Sequence, residues 1–318
     1  MKSKFFTITS YIIFLYLVLF LLDNYFSVTA QKNTVIKNYW LLNKKQSEFE
    51  NAFLGSSRVL NMMDASIFDG QGSTNSINLG LSGVGYAEQY LIYRLFTEQN
   101  KNTIKTLFVE ISYFSLITPD SAFSYPFHEY FYFPYIKSDF VYETIQDKSK
   151  NKLKCLAWRY LPFIKYAEFN VNFRPFILFN SSYKEGAANN FDKSGNLLLE
   201  EQNEKIYSSK QYTNSTMDLK NISYLNKILE LAKKNHKNIY LYTAPLNKTF
   251  LSYSLKASEN YKQALNTIIR KYKLSYFNFE DHKISYEPGN FIDRTHLNKT
   301  ASIKFSKILR DTIKSLNL

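Results

Sequence analysis

The sequence predicts an α/β fold of three layers, in which helices cover both faces of a parallel β-sheet. The first observation is that short apolar runs, typical of buried strands, alternate along the chain with segments whose apolar residues recur at helical spacing. Because parallel strands need long crossover connections, this alternation favours a parallel sheet with helices on both sides. The second observation is that 45% of the 318 residues are apolar, which is enough to bury such a core.

Five apolar runs are expected to form the strands of this sheet, at residues 52–54, 76–79, 107–109, 239–242 and 276–277. Four segments carry the helical period, at residues 86–97, 219–232, 261–272 and 301–316. In the last of these, apolar residues line roughly one face and the lysines lie largely off it. That distribution is typical of a helix that packs one side onto a core.

An apolar segment near the N-terminus predicts a membrane anchor. Residues 5–22 carry no charge, and their length is about the minimum for a helix that crosses a hydrocarbon layer of roughly 30 Å. Lys2 and Lys4 precede the segment and Asp23 follows it, so the positive-inside rule predicts that residues 1–4 are cytoplasmic. The alternative is a cleaved signal peptide, because Val28-Thr29-Ala30 resembles a cleavage site.

This anchor sets the expected domain organisation. Residues 23–48 are polar and aromatic and are expected to form a stalk, and residues 49–318 an extracytoplasmic α/β domain. Within that domain, residues from about 114 to 214 are crowded with Tyr and Phe and show no clear period, which predicts an insertion. Ligands of open α/β sheets bind beyond the carboxyl ends of the strands, so an insertion there would cap or wall the site. Alternatively, its aromatic residues form the insertion's own core or a belt that faces a bilayer.

Composition argues against several classes of function. The formal charge of +13 suits an anionic partner, but the basic residues are scattered and form no run, so no nucleic-acid partner is expected. A single cysteine, Cys155, excludes an internal disulfide and a cysteine-based zinc site. The sequence also lacks a P-loop, a dinucleotide fingerprint and a cluster of metal ligands, so no metal or organic cofactor is expected.

The segment Gly55-Ser56-Ser57-Arg58 follows the first predicted strand and precedes a helical run. A serine at such a turn occupies the position of a nucleophile, because the free N–H groups of a helix N-terminus can stabilise a developing oxyanion. A serine that merely caps the helix would give the same pattern.

Two further segments stand at predicted strand ends. Asp293 and His296 are three residues apart just before the last predicted helix, so one short turn can aim both side chains at the same point. The segment 78–83, Asn-Leu-Gly-Leu-Ser-Gly, lies between the second predicted strand and its helix, and its glycines allow the close backbone approach that an oxyanion-binding N–H needs. Taken alone, Asp293 and His296 also fit a helix cap with a surface histidine. Residues 78–83, taken alone, also fit an ordinary turn between a strand and a helix.

Together these segments resemble the SGNH (GDSL-type) hydrolase superfamily. Gly55-Ser56-Ser57 is similar to its first block, residues 78–83 to its second, and Asp293-Arg294-Thr295-His296 to its last. The resemblance implies a flavodoxin-like α/β/α fold, with Ser57 as nucleophile, His296 as general base and Asp293 as the partner that orients His296. It also implies that the backbone N–H groups of Ser57 and Gly83 form the oxyanion hole.

One block of that superfamily is missing. Its third block, Gly-x-Asn-Asp, supplies an asparagine to the oxyanion hole, whereas residues 109–114 here are Val-Glu-Ile-Ser-Tyr-Phe. Loss of one such donor costs on the order of 3 kcal/mol unless another group replaces it. Ser112 is the candidate for that replacement, and Asn78 is a second candidate for a supporting role.

The Gly-Ser-Ser block, the single N-terminal anchor and the C-terminal Asp-x-x-His together resemble a subgroup of this superfamily. Its members are membrane-anchored proteins that act in the acylation of cell-envelope polymers, such as those of teichoic acid D-alanyl transfer and alginate O-acetylation. That resemblance implies a serine esterase or O-acyltransferase that takes an acyl donor and a glycan or envelope polymer as acceptor, often beside a membrane-bound O-acyltransferase. Two alternatives stay open: a catalytically degenerate glycan-binding or assembly subunit, and a secreted general esterase or lipase.

Overall fold

The computed structural model describes residues 2–44, 49–69, 75–100, 103–117, 128–168, 191–201 and 207–315. The chain divides into two compact units. We call Met1–Asn43 with Phe127–Lys184 the helical unit, and Lys44–Pro126 with Glu185–Leu318 the sheet unit. The predicted insertion therefore contributes residues to both units.

The described helices and strands are numbered in chain order. The helices are α1 (Lys2–Lys32), α2 (Lys37–Leu42), α3 (Ser57–Met62), α4 (Tyr86–Gln99), α5 (Tyr113–Ile117), α6 (Asp139–Lys148), α7 (Lys152–Tyr160), α8 (Ile164–Glu168), α9 (Leu219–Lys234), α10 (Leu255–Tyr272) and α11 (Lys299–Ser315). The strands are β1 (Phe49–Leu54), β2 (Asn75–Asn78), β3 (Thr106–Glu110), β4 (Lys210–Tyr212), β5 (Asn238–Thr243), β6 (Leu251–Tyr253) and β7 (Ser275–Asn278).

The sheet unit is built on a five-stranded parallel sheet in the order β2-β1-β3-β5-β7. The predicted strands correspond to these five, so the predicted α/β class with a parallel sheet is confirmed. Counting only the strands of this sheet, their order is 2-1-3-4-5, the flavodoxin-like order. A second, two-stranded sheet pairs β4 with β6, and the sequence analysis did not predict it.

Helices cover both faces of this sheet. On one face, α11 packs beside α3 on a row of stacked rings, with the ring centroids of Phe53 and Phe108 4.6 Å apart and those of Phe108 and Tyr240 5.4 Å apart. On the other face, α4 and α9 pack against each other. Right-handed crossovers place the helices on opposite faces. The chain first moves from β1 to β2 in one direction across the sheet, and then from β2 past β1 to β3 in the opposite direction. The observed architecture is therefore three layers, α/β/α.

The helical unit contains α1, which is long and apolar enough over Lys4–Lys32 to cross a membrane or to be a signal sequence. The helix continues ten residues beyond the predicted apolar segment 5–22, to Lys32. Its later part packs within the unit: Ser27 Oγ lies 2.7 Å from Tyr166 Oη, and Asp23 pairs with Lys165. The predicted stalk thus includes residues that form part of this helix.

Candidate active site

The candidate site lies where the strand order of the main sheet reverses. The chain runs from β1 outward to β2 and then crosses back past β1 to β3, so the carboxyl ends of β1 and β3 border a crevice. A pocket of about 270 Å³ opens there. Its walls come from the turns after β1, β2 and β3, the first turn of α9, and the loop before α11; the lining residues are Ser56, Ser57, Arg58, Gly83, Val84, Gly85, Ser112, Phe114, Ser115, Tyr212, Asn221, Thr295 and His296.

The turn after β1 places Ser57 as the first residue of α3. Ser56 caps the helix: its hydroxyl accepts a hydrogen bond from the N–H of Arg58 at 3.4 Å, and its carbonyl accepts those of Val59 and Leu60 at 3.0 and 3.1 Å. Because the preceding residue makes the cap, the Ser57 hydroxyl is left to face the pocket. The two adjacent serines therefore have different structural roles.

Two glycines let this turn pack closely. A Cβ on Gly55 would lie 2.3 Å from Val59 Cγ2, and a Cβ on Gly80 would lie 2.4 Å from the backbone nitrogen of Leu60. Real Cβ atoms do not approach backbone so closely, so a side chain at position 80 would push α3 away. The glycine of the predicted second block thus allows the segment after β2 to lie directly against α3.

Ser57, His296 and Asp293 are joined by hydrogen-bond distances. His296 Nε2 lies 2.9 Å from Ser57 Oγ, and His296 Nδ1 lies 2.8 Å from Asp293 Oδ2. The loop before α11 sets this geometry, since the N–H of Ile292 donates to the His296 carbonyl at 3.0 Å and Phe291 bridges Leu297. A hydroxyl, an imidazole and a carboxylate in this order are an arrangement that acyl transfer through a serine can use.

Asp293 is held as a carboxylate. Burial raises the pKa of Asp293, but the hydrogen bond and charge of His296, with the N–H groups of Thr295 and His296, outweigh it and lower the pKa to about 2. Those two N–H groups donate to Asp293 Oδ1 at 2.7 and 2.8 Å. The charge therefore stays beside the imidazole throughout the ordinary pH range.

Gly83 and Ser112, the predicted donors around the nucleophile, both line the pocket. Gly83 has a φ of 69°, in the left-handed region that favours glycine. Ser112 is buried, and its hydroxyl lies 3.2 Å from the hydroxyl of Ser115. The Ser115 hydroxyl also accepts a hydrogen bond from the backbone N–H of Ser112 at 3.0 Å. These two serines form a small hydroxyl cluster at the carboxyl end of β3.

Asn78 does not line the pocket. Its side chain is fully buried, where Nδ2 donates to the carbonyls of Val59 and Met63 at 2.8 and 3.1 Å and Oδ1 accepts the N–H of Gly80 at 2.9 Å. Asn78 thus ties the end of α3 to the turn after β2. The side chain of Asn78 therefore supports α3 from behind the pocket.

Arg58, which follows Ser57 in the chain, forms a buried ion pair with Glu110, with Arg58 Nη1 3.4 Å from Glu110 Oε1. Arg58 Nη2 also donates to the carbonyls of Ala244 and Pro245 at 2.7 and 3.1 Å. Burial raises the pKa of Glu110, and the positive charges of Arg58 and His296 oppose that shift. The pair links the turn after β1 to the ends of β3 and β5, and the sequence analysis did not predict it.

Asn221 is a further pocket residue that the sequence analysis missed. It lies in the first turn of α9, where it is 2% exposed, and its side-chain oxygen is buried without a hydrogen-bond partner among the described residues. A buried amide with an unused polar atom is costly unless something binds it. No local pattern marks this residue, because only the packing of α9 beside the strand ends brings it to the pocket.

The remaining histidines and Cys155 lie elsewhere in the fold. The thiol of Cys155 is buried, as expected for a small apolar residue, and His128 packs on the rings of Tyr130 and Phe131. Among the described residues, no group of three or more His, Cys, Asp or Glu side chains could hold a metal ion.

Comparison with known proteins adds little to this description. No family model matches the chain, and no curated protein matches it. A solved structure from Bacteroides fragilis, described as a "putative acylhydrolase", is similar to 89% of this chain and 95% of its own, with a TM-score of 0.40 and 12% identity. We draw no functional conclusion from that similarity.

Proposed function

We propose that the sheet unit is a serine esterase or O-acyltransferase of the SGNH type, in which Ser57 is the nucleophile, His296 the general base and Asp293 its orienting partner. The observation that carries this proposal is the continuous path from Ser57 Oγ to His296 Nε2 at 2.9 Å and from His296 Nδ1 to Asp293 Oδ2 at 2.8 Å. Two segments far apart in the chain meet in this geometry at the mouth of a pocket.

In the first half of the proposed reaction, His296 Nε2 takes the hydroxyl proton of Ser57 while Ser57 Oγ attacks the carbonyl carbon of an ester or thioester. The carbonyl oxygen gains negative charge, and the N–H groups of Ser57 and Gly83 are the proposed donors to it. The imidazolium then gives its proton to the leaving group as the bond to that group breaks. The product of this half is a seryl ester.

In the second half, an acceptor hydroxyl enters the pocket and loses its proton to His296 as its oxygen attacks the acyl carbon. The bond to Ser57 Oγ breaks and the serine regains a proton from the imidazolium. Water as acceptor gives hydrolysis, and a sugar hydroxyl gives transfer. The resemblance to envelope-acylation proteins and the membrane-length helix α1 support a carbohydrate or envelope polymer outside the cytoplasm as acceptor.

The proposal is tested by exposing the detergent-solubilised full chain to a fluorophosphonate probe and measuring intact mass. The wild type should gain one probe adduct, and Ser57→Ala and His296→Ala should gain none, because the probe needs an activated serine. Ser56→Ala is the matched control, since it removes the neighbouring hydroxyl of the same pocket, which caps α3, while His296 bonds to Ser57.

One probe adduct on Ser56→Ala, as on the wild type, together with loss of the adduct in the other two variants, would support an activated Ser57. A folded wild type that takes no label would count against a self-sufficient triad. If the wild type is labelled, fresh unlabelled protein should be screened with acetyl and aminoacyl esters, with and without sugar acceptors. This screen separates transfer from hydrolysis.

A further inference from the structure

The part of α1 that follows the apolar segment is held within the helical unit by a buried ion pair. Asp23 and Lys165 are 8% and 3% exposed and form a salt bridge, and Asp23 also accepts the N–H of Phe163 at 2.8 Å. Asp23 is the first charged residue after the apolar segment 5–22. If α1 spans a bilayer, this pair therefore marks the level at which the hydrocarbon layer ends.

A pocket of about 320 Å³ opens at that level beside α1. Three cations line it, Lys137, Arg159 and Lys165, against the single carboxylate of Asp23, and Tyr16 and Phe20 form part of its wall. Arg159 is also paired with Asp139 at 2.5 Å, and Lys165 with Asp23, whereas Lys137 forms no ion pair within the described part of the chain and lies 5.2 Å from the centre of the Phe20 ring. The pocket is thus cationic at its rim.

The three cations of the pocket repel one another. Burial lowers the pKa of Lys165, Asp23 opposes that shift, and the nearby charge of Lys137 lowers the pKa further. An anion between these cations would relieve that repulsion. The two rings lie on the membrane side of Asp23: at 1.5 Å per residue, Phe20 and Tyr16 are about 5 and 10 Å deeper along α1.

A row of exposed apolar side chains lies on the neighbouring helices. Leu153, Leu156 and Tyr160 are 79%, 45% and 61% exposed, and their spacing of three and four residues puts them on one face of α7. Leu161 and Ile164 extend the row at 50% and 42% exposure, and Cys155 and Trp158 fill the buried side of α7. Helices with an apolar face and flanking lysines are typical of a bilayer surface.

We propose that the helical unit rests on the bilayer with this face of α7 and α8 in the headgroup layer, and that the pocket beside α1 binds the phosphate of an anionic phospholipid. The phosphate lies between Lys137 and Arg159, and the first part of an acyl chain runs along Tyr16 and Phe20. Continuity with α1 argues for a lipid as the occupant, because the apolar wall of the pocket belongs to the segment that has membrane length. The proposal does not depend on the chemistry of the sheet unit.

The first test is native mass spectrometry of the full chain in detergent, with phosphatidylglycerol or phosphatidylcholine of identical acyl chains. Phosphatidylglycerol should be retained at least threefold more than phosphatidylcholine, and Lys137→Ala should remove that preference. Lys137 is exposed, so its substitution should not disturb folding. The matched control is Lys262→Ala on α10, which removes an exposed lysine elsewhere.

Equal retention of the two lipids, or an equal effect of the two lysine variants, would overturn the proposal. Displacement of the lipid by an equal concentration of glycerol phosphate would also overturn it, because the site would then recognise a free phosphate ester.

A second measurement tests the depth of α7 without relying on the pocket. In the Cys155→Ala background, nitroxides attached through Leu156→Cys or Lys262→Cys are compared in phosphatidylcholine vesicles that contain phosphatidylglycerol. The label at position 156 should collide more often with oxygen and less often with a water-soluble nickel chelate than the label at position 262. Equal exposure to the nickel chelate at both positions would show that α7 lies in water and would contradict the proposal.

Discussion

The carboxylate of Asp293 links the stability of the candidate site to pH. Its pKa in the folded protein is about 2, below the value of about 3.9 for an unperturbed aspartate. A group with a depressed pKa contributes stability that is fully present above the unfolded pKa and is lost as the pH falls through the folded pKa. The contribution of Asp293 should therefore be constant above pH 5 and should fade between about pH 4 and pH 2.

Asp293→Asn should reveal both the contribution of the carboxylate to stability and its contribution to the reactivity of Ser57. The difference in Tm between wild type and variant should be constant from pH 7 to pH 5 and should shrink below about pH 4. Because the amide does not stabilise an imidazolium, fluorophosphonate labelling should also slow, on the order of 10³-fold or more. Thermal scans across pH and labelling rates at neutral pH check both; a Tm difference that persists unchanged to pH 2 would contradict the role assigned to the charge.

Asn221 brings to the same pocket a buried side-chain oxygen without a hydrogen-bond partner among the described residues, and we expect this oxygen to accept a hydrogen bond from a substrate hydroxyl or amine. Asn221→Ala should raise KM for such a substrate about tenfold and leave kcat nearly unchanged, since a contact made equally in the ground state and the transition state acts through KM. Asn226→Ala is the control on the same helix, because its side-chain oxygen is also buried without a partner among the described residues while the residue does not line the pocket.

Equal kinetics of the two asparagine variants would contradict a role for Asn221. Ser112→Ala tests the candidate for the missing oxyanion donor, since a loss of kcat confined to that variant would assign the role to the hydroxyl cluster after β3.

Among the secondary-structure elements, α3 depends on the ion pair of Arg58 with Glu110. Both side chains are almost fully buried, so the removal of Arg58 leaves a carboxylate without its charge partner and also frees the carbonyls of Ala244 and Pro245. Such a loss costs about 3–5 kcal/mol. The stability of α3 and the position of Ser57 are therefore coupled to the ends of β3 and β5.

A double-mutant cycle tests this coupling. Arg58→Met should reduce the free energy of unfolding by about 3–5 kcal/mol, and Glu110→Gln in the same chain should restore part of it, because no buried charge then remains. Chemical denaturation of the four proteins measures the effect. Strictly additive losses would show that the two residues do not depend on each other.

The sequence predicted most elements of the sheet unit because their patterns are local. The helical period of residues 86–97 and 219–232 corresponds to α4 and α9, and the apolar runs became strands of the main sheet within a few residues at each end. The strands β4 and β6 were missed, since each has three residues and no sustained alternation. Arg58, Glu110 and Asn221 were missed for a different reason: their contacts join segments more than 50 residues apart and leave no periodic signal.

On the scale of the whole molecule, hydropathy found the apolar part of α1 and missed its extension. Residues 23–32 carry charged and polar side chains and therefore fall outside the apolar segment, although they continue the same helix. Orientation in the membrane and retention of the anchor stay predictions that rest on Lys2, Lys4 and the length of residues 5–22.

Two measurements check these predictions. The intact mass of the purified protein should include residues 1–30, because the anchor is expected to be retained. In the Cys155→Ala background, a membrane-impermeant maleimide should label Lys262→Cys in intact cells and Lys4→Cys only after the cells are permeabilised. A mature mass that begins after Ala30 would contradict retention, and labelling of position 4 in intact cells would contradict the orientation.

The hydrogen bond between Ser57 and His296 spans 239 residues of the chain. At a synthesis rate of about 5–20 residues per second, Ser57 is made roughly 10–50 s before His296. If the two residues act as proposed, Ser57 is an ordinary alcohol during that interval, because no base is present to take its proton. The proposed reactivity would then begin only when the loop before α11 brings His296 to Ser57.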